Sequence, residues 1–458
     1  MTGQEQTVDL TMGNLWANIW QISWPILLMT IFSFFVGFTD IYVAGYIGPE
    51  VQAAVGFVGQ LYFLITIVAN AISIGTLILA ARAVGSGNFE KAVDVAKQSL
   101  LFSLLVAVGL SGFGLLFYKK IIAVAGFPME IRGIAENFLK IFALSLGPNY
   151  VLIISNAVFR ASGEVKKPLV TMFMVSLINI IGDFVLVFGL SPFPRMGYIG
   201  IAVSTATSVS AGMLMNVVFF SAGRWRPFYS SPWGLSRETI RKVISFGWPA
   251  ALQQIAWNSG TIVLYSILSR LEQGSIIALA AITNGLRVEA VIYLPAFALN
   301  MAGSVLVGQN LGARNPARAE RVGWRIAQAG MVVLSFMALA IFILADTLAS
   351  LVTKDPFVLR ETARYLRINM LSEPFMALSS TLGGGLQGAG DTRGAMWIIV
   401  LTMWLIRLPL AYLLTLQLGY GSLGAWLAMI FSMTVQGLLM ALRFYNGKWK
   451  EPRDSLAD

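Results

Sequence analysis

The chain reads as an all-α polytopic membrane protein with twelve transmembrane helices in two parallel six-helix repeats. Three observations predict this. The 458 residues are 57% hydrophobic and only 12% charged, with a mean hydropathy of +0.74, outside the range of soluble domains. Twelve apolar stretches each approach the roughly 20 helical residues that a hydrocarbon core of about 30 Å requires. The chain also repeats itself. Arg160–Leu169 (RASGEVKKPL) returns as Gln387–Met396 (QGAGDTRGAM), Ala81–Ala92 (ARAVGSGNFEKA) as Gly308–Ala319 (GQNLGARNPARA), and Trp24-Pro25 as Trp248-Pro249.

Taken in order, helices 1–6 are expected at 17–46, 53–82, 93–118, 137–160, 168–190 and 198–222. Helices 7–12 follow at 240–270, 275–308, 320–351, 362–386, 394–418 and 421–444. Between the halves, residues 223–239 begin GRWRPFYSSPWGLSRE, a Pro-, Gly-, Ser- and Arg-rich run that reads as a cytoplasmic connector. The chain thus divides into 1–222, 223–239 and 240–458. Six helices per half is an even number, so both copies enter the bilayer from one side and are related by an axis along its normal. Such an architecture suits a carrier that holds its substrate between two bundles and exposes it alternately to each side.

Pro25 and Pro249 occupy matching places in the first helix of each half. Each removes a backbone hydrogen bond and predicts a kink; Pro25 is a candidate hinge, with plain packing as the alternative. The segments Gly85-Ser86-Gly87-Asn88 and Gly312-Ala313-Arg314-Asn315 supply Gly and Asn for left-handed turns.

Composition narrows the chemistry. The chain has no Cys and no His, which excludes disulfides, thiol nucleophiles and imidazole ligands. Any proton chemistry must use carboxylates. The first fifteen residues hold no Lys or Arg, so no cleavable signal peptide is expected. The net charge of +10 lies in short loops and reads as membrane topology rather than nucleic-acid binding. With the N-terminus inside, 20 Lys and Arg fall in cytoplasmic segments, 9 in outer ones and 3 within spans. That bias puts both termini in the cytoplasm.

The duplication fails at two acids. At offsets of 224 and 227, Asp40 maps onto Leu264 and Asp183 onto Leu410. A carboxylate retained in the hydrocarbon core is costly and therefore a functional candidate. Asn179 and Asp183 are four apart in helix 5 and share one face. Thr205 in helix 6 lies about seven residues from the outer end, roughly 10 Å down, at the depth of Asp40 and Asp183. In helix 4, Asn149 and Asn179 are equally far from the intervening loop, which favours Asn149 over Asn156 as a further member. Hard oxygen donors suit Na+ at Asp40, Asn179 and Asp183. Two neighbouring carboxylates in a low dielectric equally suit a shared proton. The competing reading is a hydrogen-bond network that merely orders the helices, although an amide network would do that at lower desolvation cost.

The second half holds Arg287, Glu289, Glu373 and Arg407 near mid-depth; residues 287 and 289 do not share a helical face, and Glu373, Arg287 and Arg407 are the candidates for a second polar site. Pairing of Glu373 with Arg407 or with Arg287 is expected, as internal ion pairs rather than substrate contacts. Phe34, Phe35, Phe38, Tyr42, Tyr62 and Tyr150 are candidates for lining a cleft, although each is more often a packing residue.

Together the duplication, the GQNLGARNPARA segment after helix 8 and the LQGAGDTR segment after helix 10 resemble the multidrug and toxic compound extrusion (MATE) family over essentially the whole chain. The resemblance implies a V-shaped transporter of two six-helix lobes in the plasma (inner) membrane. It would be an exporter of organic, often cationic and amphipathic, compounds by antiport against Na+ or H+. Asp40, Asn179 and Asp183 match the DinF-like branch, which carries an Asp in helix 1 and an Asn-x-x-x-Asp pair in helix 5. Another branch has acids in helices 7 and 10, which would fall near Trp257 or Asn258 and near Met376; here Glu373 stands one turn earlier, beside Pro374. No cofactor is implied beyond the coupling ion, and a monomer is expected.

Two alternatives remain at this level. One is a flippase for lipid-linked precursors, which a strongly cationic cleft would favour. The other is an intramembrane enzyme, which without His or Cys would need an acid dyad or a Ser–Lys pair; Lys140, the sole Lys placed within a span, has no evident partner.

Overall fold

The computed structural model describes residues 9–230 and 232–451. In the first half, α1–α6 run over Leu15–Ile47, Pro49–Gly85, Phe89–Val124, Met129–Ala161, Lys166–Phe188 and Tyr198–Phe220. In the second, α7–α9 run over Arg237–Ser269, Ser275–Gly312 and Pro316–Ile343. α10 is built of Pro356–Met370 and Glu373–Gly388. α11 spans Thr392–Gln417 and α12 spans Ser422–Tyr445. Ten of these helices are long and apolar enough to cross a bilayer. The other two are α7 and the interrupted α10.

Several helices outrun their apolar stretches. α2 continues to Gly85 and α8 to Gly312, several residues past their predicted ends, because a helix keeps its backbone hydrogen bonds whether lipid or water surrounds it. The break in α10 falls at Leu371-Ser372, immediately before Glu373-Pro374. Proline has no N–H to continue the ladder but suits a first turn, so the helix restarts there.

The repeated loop motif acts as a helix cap. Asn88 accepts from the Lys91 backbone N–H at 2.9 Å, and its repeat mate Asn315 accepts from that of Arg318 at 3.0 Å. Each cap satisfies one donor that the helix start leaves free. The left-handed residue just before it is Gly87 in the first copy and Arg314 in the second.

The described chain forms two compact units. One is Leu28–Gly247; the other joins Asp9–Leu27 to the chain from Trp248 onward. The unit boundary within α1 thus lies two residues past Pro25, and that within α7 directly precedes Trp248-Pro249.

Within the first unit, the connector is a packed element. Trp225 and Phe228 are buried against Phe159 and Phe220, and Phe220 stacks on Phe228 with ring centroids 4.2 Å apart. In the second unit, α8 and α10 pack backbone to backbone. A Cβ on Gly384 would meet the Asn300 carbonyl oxygen at 2.0 Å, and one on Gly388 would meet that of Ser304 at 2.1 Å. Two glycines four apart facing two residues four apart is the small-residue packing by which helices associate in lipid.

Candidate functional site

In the first unit α1, α5 and α6 bring four oxygen-bearing side chains together. The Asn179 side-chain amide donates to Asp40 Oδ1 at 3.2 Å and lies 3.3 Å from Thr205 Oγ1. The Thr205 hydroxyl in turn approaches Asp40 Oδ2 at 3.2 Å and the Ile201 carbonyl at 3.1 Å. Asn179 and Asp183 are fully buried, Thr205 is 9% exposed, and Asp40 is half-buried.

Asp183 completes the group. Its carboxyl comes within side-chain reach of Asp40 and of Ser204. The Ser204 hydroxyl, however, donates to the Asn179 carbonyl at 2.8 Å. Among the described residues no hydrogen-bond partner reaches either Asp183 oxygen or Asn179 Oδ1, all three of them buried. A Cβ on Gly182 would stand 2.5 Å from Ser204 Oγ, so glycine beside Asp183 is what lets α5 and α6 close over the acids.

Three buried acceptors without donors, next to a second carboxylate, form a site short of positive charge. Leaving such oxygens unpaired costs about 1–3 kcal/mol each, and more when charged. No group of three or more His, Cys, Asp or Glu side chains is placed to hold a metal ion among the described residues. The donor set is therefore two acids, an amide and a hydroxyl. Hard oxygen donors of low total charge fit a monovalent cation or a proton held between the carboxyls.

The remaining candidates are placed apart. Asn149 is buried on α4, and no hydrogen bond joins it to this group among the described residues. Asn156 belongs to a separate network: Asn216 Nδ2 donates to Asn156 Oδ1 at 2.8 Å and to Ser155 Oγ at 2.7 Å, while Thr171 donates to Asn216 Oδ1 at 2.7 Å. Pro25 is buried inside α1. Tyr150 is wholly buried and donates to the Ile65 carbonyl at 2.7 Å, so it is a core residue. Phe34, Phe38 and Tyr42 are exposed and form a stacked ladder along α1. They lie two and six residues from Asp40, on roughly the opposite face of the helix.

In the second unit, Glu373 and Arg407 are both buried, but the third member is Glu289 rather than Arg287. Arg287 is exposed, whereas Glu289 is 3% exposed. The two sit on different faces of α8, and composition alone favours neither. Glu289 lies beside Tyr293 and Tyr365 and within Coulombic reach of Arg407 and Glu373. Arg407 donates to Ser432 Oγ at 2.8 Å and covers the Trp257 ring at 5.0 Å. No direct ion pair joins Arg407 to either glutamate among the described residues. Lys140, placed within a span, lies 4.4 Å over the Tyr118 ring, an arrangement unlike a Ser–Lys dyad.

Comparison with known proteins supplies the frame for these geometries. The MatE family model matches twice, over residues 25–185 and 249–413. A probable multidrug resistance protein NorM of Thermotoga maritima is 28% identical over 426 residues, covering 91% of this chain and 89% of that protein. An FAD transporter of Shewanella oneidensis is 24% identical over 420 residues, 92% of this chain and 88% of that one. Among solved structures, an outward-facing multidrug resistance MATE family transporter aligns with a TM-score of 0.88 at 20% identity, covering 97% of this chain and 99% of that one. A MATE structure in a bent conformation aligns with a TM-score of 0.87 at 20% identity, over 97% and 98% of the two chains.

Proposed function

The chain belongs to the MatE family, and from that premise we propose that it is a secondary active multidrug exporter coupled to a cation through the first unit. It is a multi-pass membrane transporter, not an enzyme. Its substrates in this reading are small organic compounds, cationic and amphipathic ones foremost, expelled across the plasma membrane by a monomer with both termini in the cytoplasm. The coupling ion, H+ or Na+, is cargo, and no cofactor takes part.

One observation carries the proposal: among the described residues the buried oxygens of Asp183 and the Asn179 Oδ1 have no hydrogen-bond partner, beside a second carboxylate at Asp40. Such a group holds its charge only with a cation or proton between the acids. Arrival of that cation from outside neutralises the pair and draws Asp40, on α1, toward α5 and α6. In this reading the outer part of α1 swings about Pro25, its hinge, two residues before the unit boundary within the helix. Antiport then requires that substrate and cation each lower the other's affinity.

The test is transport in proteoliposomes with Na+ and pH gradients imposed separately. One gradient is expected to drive uphill export of a cationic dye, and Asp40→Asn or Asp183→Asn to abolish it while the protein still reaches the membrane. Unchanged gradient-driven transport in both variants would sink the proposal.

A further inference from the structure

α9 carries one stripe whose chemistry changes along its length. At about 3.6 residues per turn, Arg318, Arg321, Val332, Phe336 and Leu339 all point within about 40° of Arg325. The opposite face, with Gly323, Gly330 and Leu334, is buried in the second unit. Arg321 and Arg325 are exposed, and so are Val332, Phe336 and Leu339. Arg325 and Val332 are seven residues apart, about 10 Å along the axis. A stripe that is cationic for two turns and apolar beyond them repeats the section through one leaflet, headgroups first and acyl chains next.

The start of α1 flanks the cationic part. Arg318 donates to the Met12 and Gly13 carbonyls at 2.7 and 3.0 Å, which fixes that segment beside α9. Arg325 lies over the Trp16 ring at 5.6 Å. Trp16 is 46% exposed and Trp20, one turn on, 70%; indole rings favour the level where bilayer meets water. The hydrogen bonds of Arg321 and Arg325 stay within their own helix, to the Ala317 carbonyl and the Gln328 side chain. Among the described residues no acidic side chain pairs with either arginine. The adjacent Glu320 is taken by Lys450 at 2.7 Å.

The first repeat uses the matching face differently. At the offset of 227, Arg321 corresponds to Asp94 and Arg325 to Gln98, so the two guanidiniums become an acid and an amide. There the connector closes over the helix: the Ser236 backbone N–H donates to Gln98 Oε1 at 2.9 Å, and Gln98 is buried. Two arginines left exposed in one repeat, where the other has a covered amide and an acid, mark a surface suited to an anion.

We propose that Arg321, Arg325 and Trp16 form a binding site for an anionic phospholipid of the leaflet at this end of the protein, the inner leaflet in the orientation given above. The two guanidiniums hold the phosphate oxygens in charge-assisted hydrogen bonds, and an acyl chain runs along Val332, Phe336 and Leu339. A free phosphate would satisfy the arginines but leave that apolar stripe unused. The site goes beyond the export reading and takes only the orientation from it.

The experiment uses the purified full-length chain in detergent. It measures the Tm shift and, by native mass spectrometry, the lipid retained on adding phosphatidylglycerol, phosphatidylcholine of the same acyl chains, or inorganic phosphate; a ligand that binds only the folded state raises Tm. Phosphatidylglycerol is expected to raise Tm well above the other two. Arg321→Gln/Arg325→Gln should cut that shift to less than half and retain one lipid fewer. The control pair Arg226→Gln/Arg241→Gln, which removes as much exposed charge from the first unit, should keep most of it. An unchanged phosphatidylglycerol shift in Arg321→Gln/Arg325→Gln overturns the proposal, as does an equal loss in the control pair. A shift reproduced by inorganic phosphate or by phosphatidylcholine overturns it too. Should the double variant not fold, a parental shift in both single variants does the same. None of these readouts involves transport, so failure of the export reading leaves them distinct.

Discussion

Asn179 donates its side-chain amide to Asp40 across 3.2 Å, joining residues 139 positions apart in the chain. The same nitrogen lies 3.3 Å from the Thr205 hydroxyl, so one amide orients both the α1 acid and the α6 hydroxyl. Its own side-chain oxygen has no hydrogen-bond partner among the described residues. Asn179 thus spends its donors on holding the site and keeps an acceptor free.

Asn179→Ala is therefore expected to act on both stability and coupling. Losing the amide leaves buried acceptors on Asp40 and Thr205 short of a donor, a cost of about 1–3 kcal/mol. The cation loses one oxygen as well. The expected outcome is a lower Tm together with a higher external Na+ or H+ concentration for half-maximal export. Thr205→Ser, which keeps the hydroxyl, should stay close to the parent in both assays, and Thr205→Val should not. Parental ion dependence in Asn179→Ala would remove it from the site.

Much of this site was legible because helical spacing is rigid. A spacing of four positions places Asn179 and Asp183 on one face, and counting from helix ends matched the depths of Asp40 and Thr205. What spacing could not show was whatever depends on rotation about a helix axis. Glu289 and Arg287 are two residues apart, so one is turned inward and the other outward, and composition does not say which. The π turn over Thr402–Arg407 in α11 has no signature in the apolar pattern, so a constant offset pairs Asp183 with Leu410 although the neighbouring Ala411 is the buried residue. Ser204 escaped notice because serine is common in transmembrane helices, and only the fold reveals that its hydroxyl is committed to the Asn179 carbonyl. The order and span of the helices were the easiest part, since apolar runs of bilayer length have few other uses.

Asn216 offers a contrast with the ion site. Its side chain bonds Ser155, Asn156 and Thr171 at 2.7–2.8 Å, and it is fully buried. Every polar atom of the Asn216 side chain is engaged, so the network orders α4, α5 and α6 without room for a cation. Asn216→Ala is expected to cost about 1–3 kcal/mol, seen as a lower Tm in detergent, while the remaining folded protein exports with unchanged ion dependence. A shifted Na+ or H+ dependence would instead tie this network to coupling.

Glu164 lies between α4 and α5 and fastens the connector to the first unit. Arg224 Nε donates to Glu164 Oε1 at 2.8 Å, the Trp225 indole donates to the same oxygen at 2.9 Å, and Lys167 pairs with Oε2. Burial alone would raise its pKa, but the two cations outweigh burial and hold it below the usual 4.5. A carboxylate depressed in the folded state stabilises above its unfolded pKa and loses that contribution as pH falls through the folded value. The Tm difference between the parent and Glu164→Gln should therefore be full at neutral pH, corresponding to about 1–3 kcal/mol, and shrink as the pH drops below 4.5. A difference independent of pH would show that shape rather than charge secures the connector.

Arg314 has φ 55°, the sole non-glycine residue at positive φ among the described residues. The equivalent place in the first repeat is Gly87, with φ 77°, and both precede an asparagine that caps the next helix. A side chain in the left-handed region costs about 1–2 kcal/mol, and the cap at Asn315 holds Arg314 there. Arg314 is exposed, so little packing offsets that cost. Glycine would relieve it, although glycine also loosens the unfolded chain. Arg314→Gly is expected to stabilise by a net of about 0.5–1 kcal/mol, raising Tm, whereas the β-branched Arg314→Val should lower it. Transport should be unaffected, since the turn lies far in sequence from Asp40, Asn179 and Asp183. If Arg314→Gly melted no higher than the parent, the arginine side chain would have to make a compensating contact worth as much as the strain.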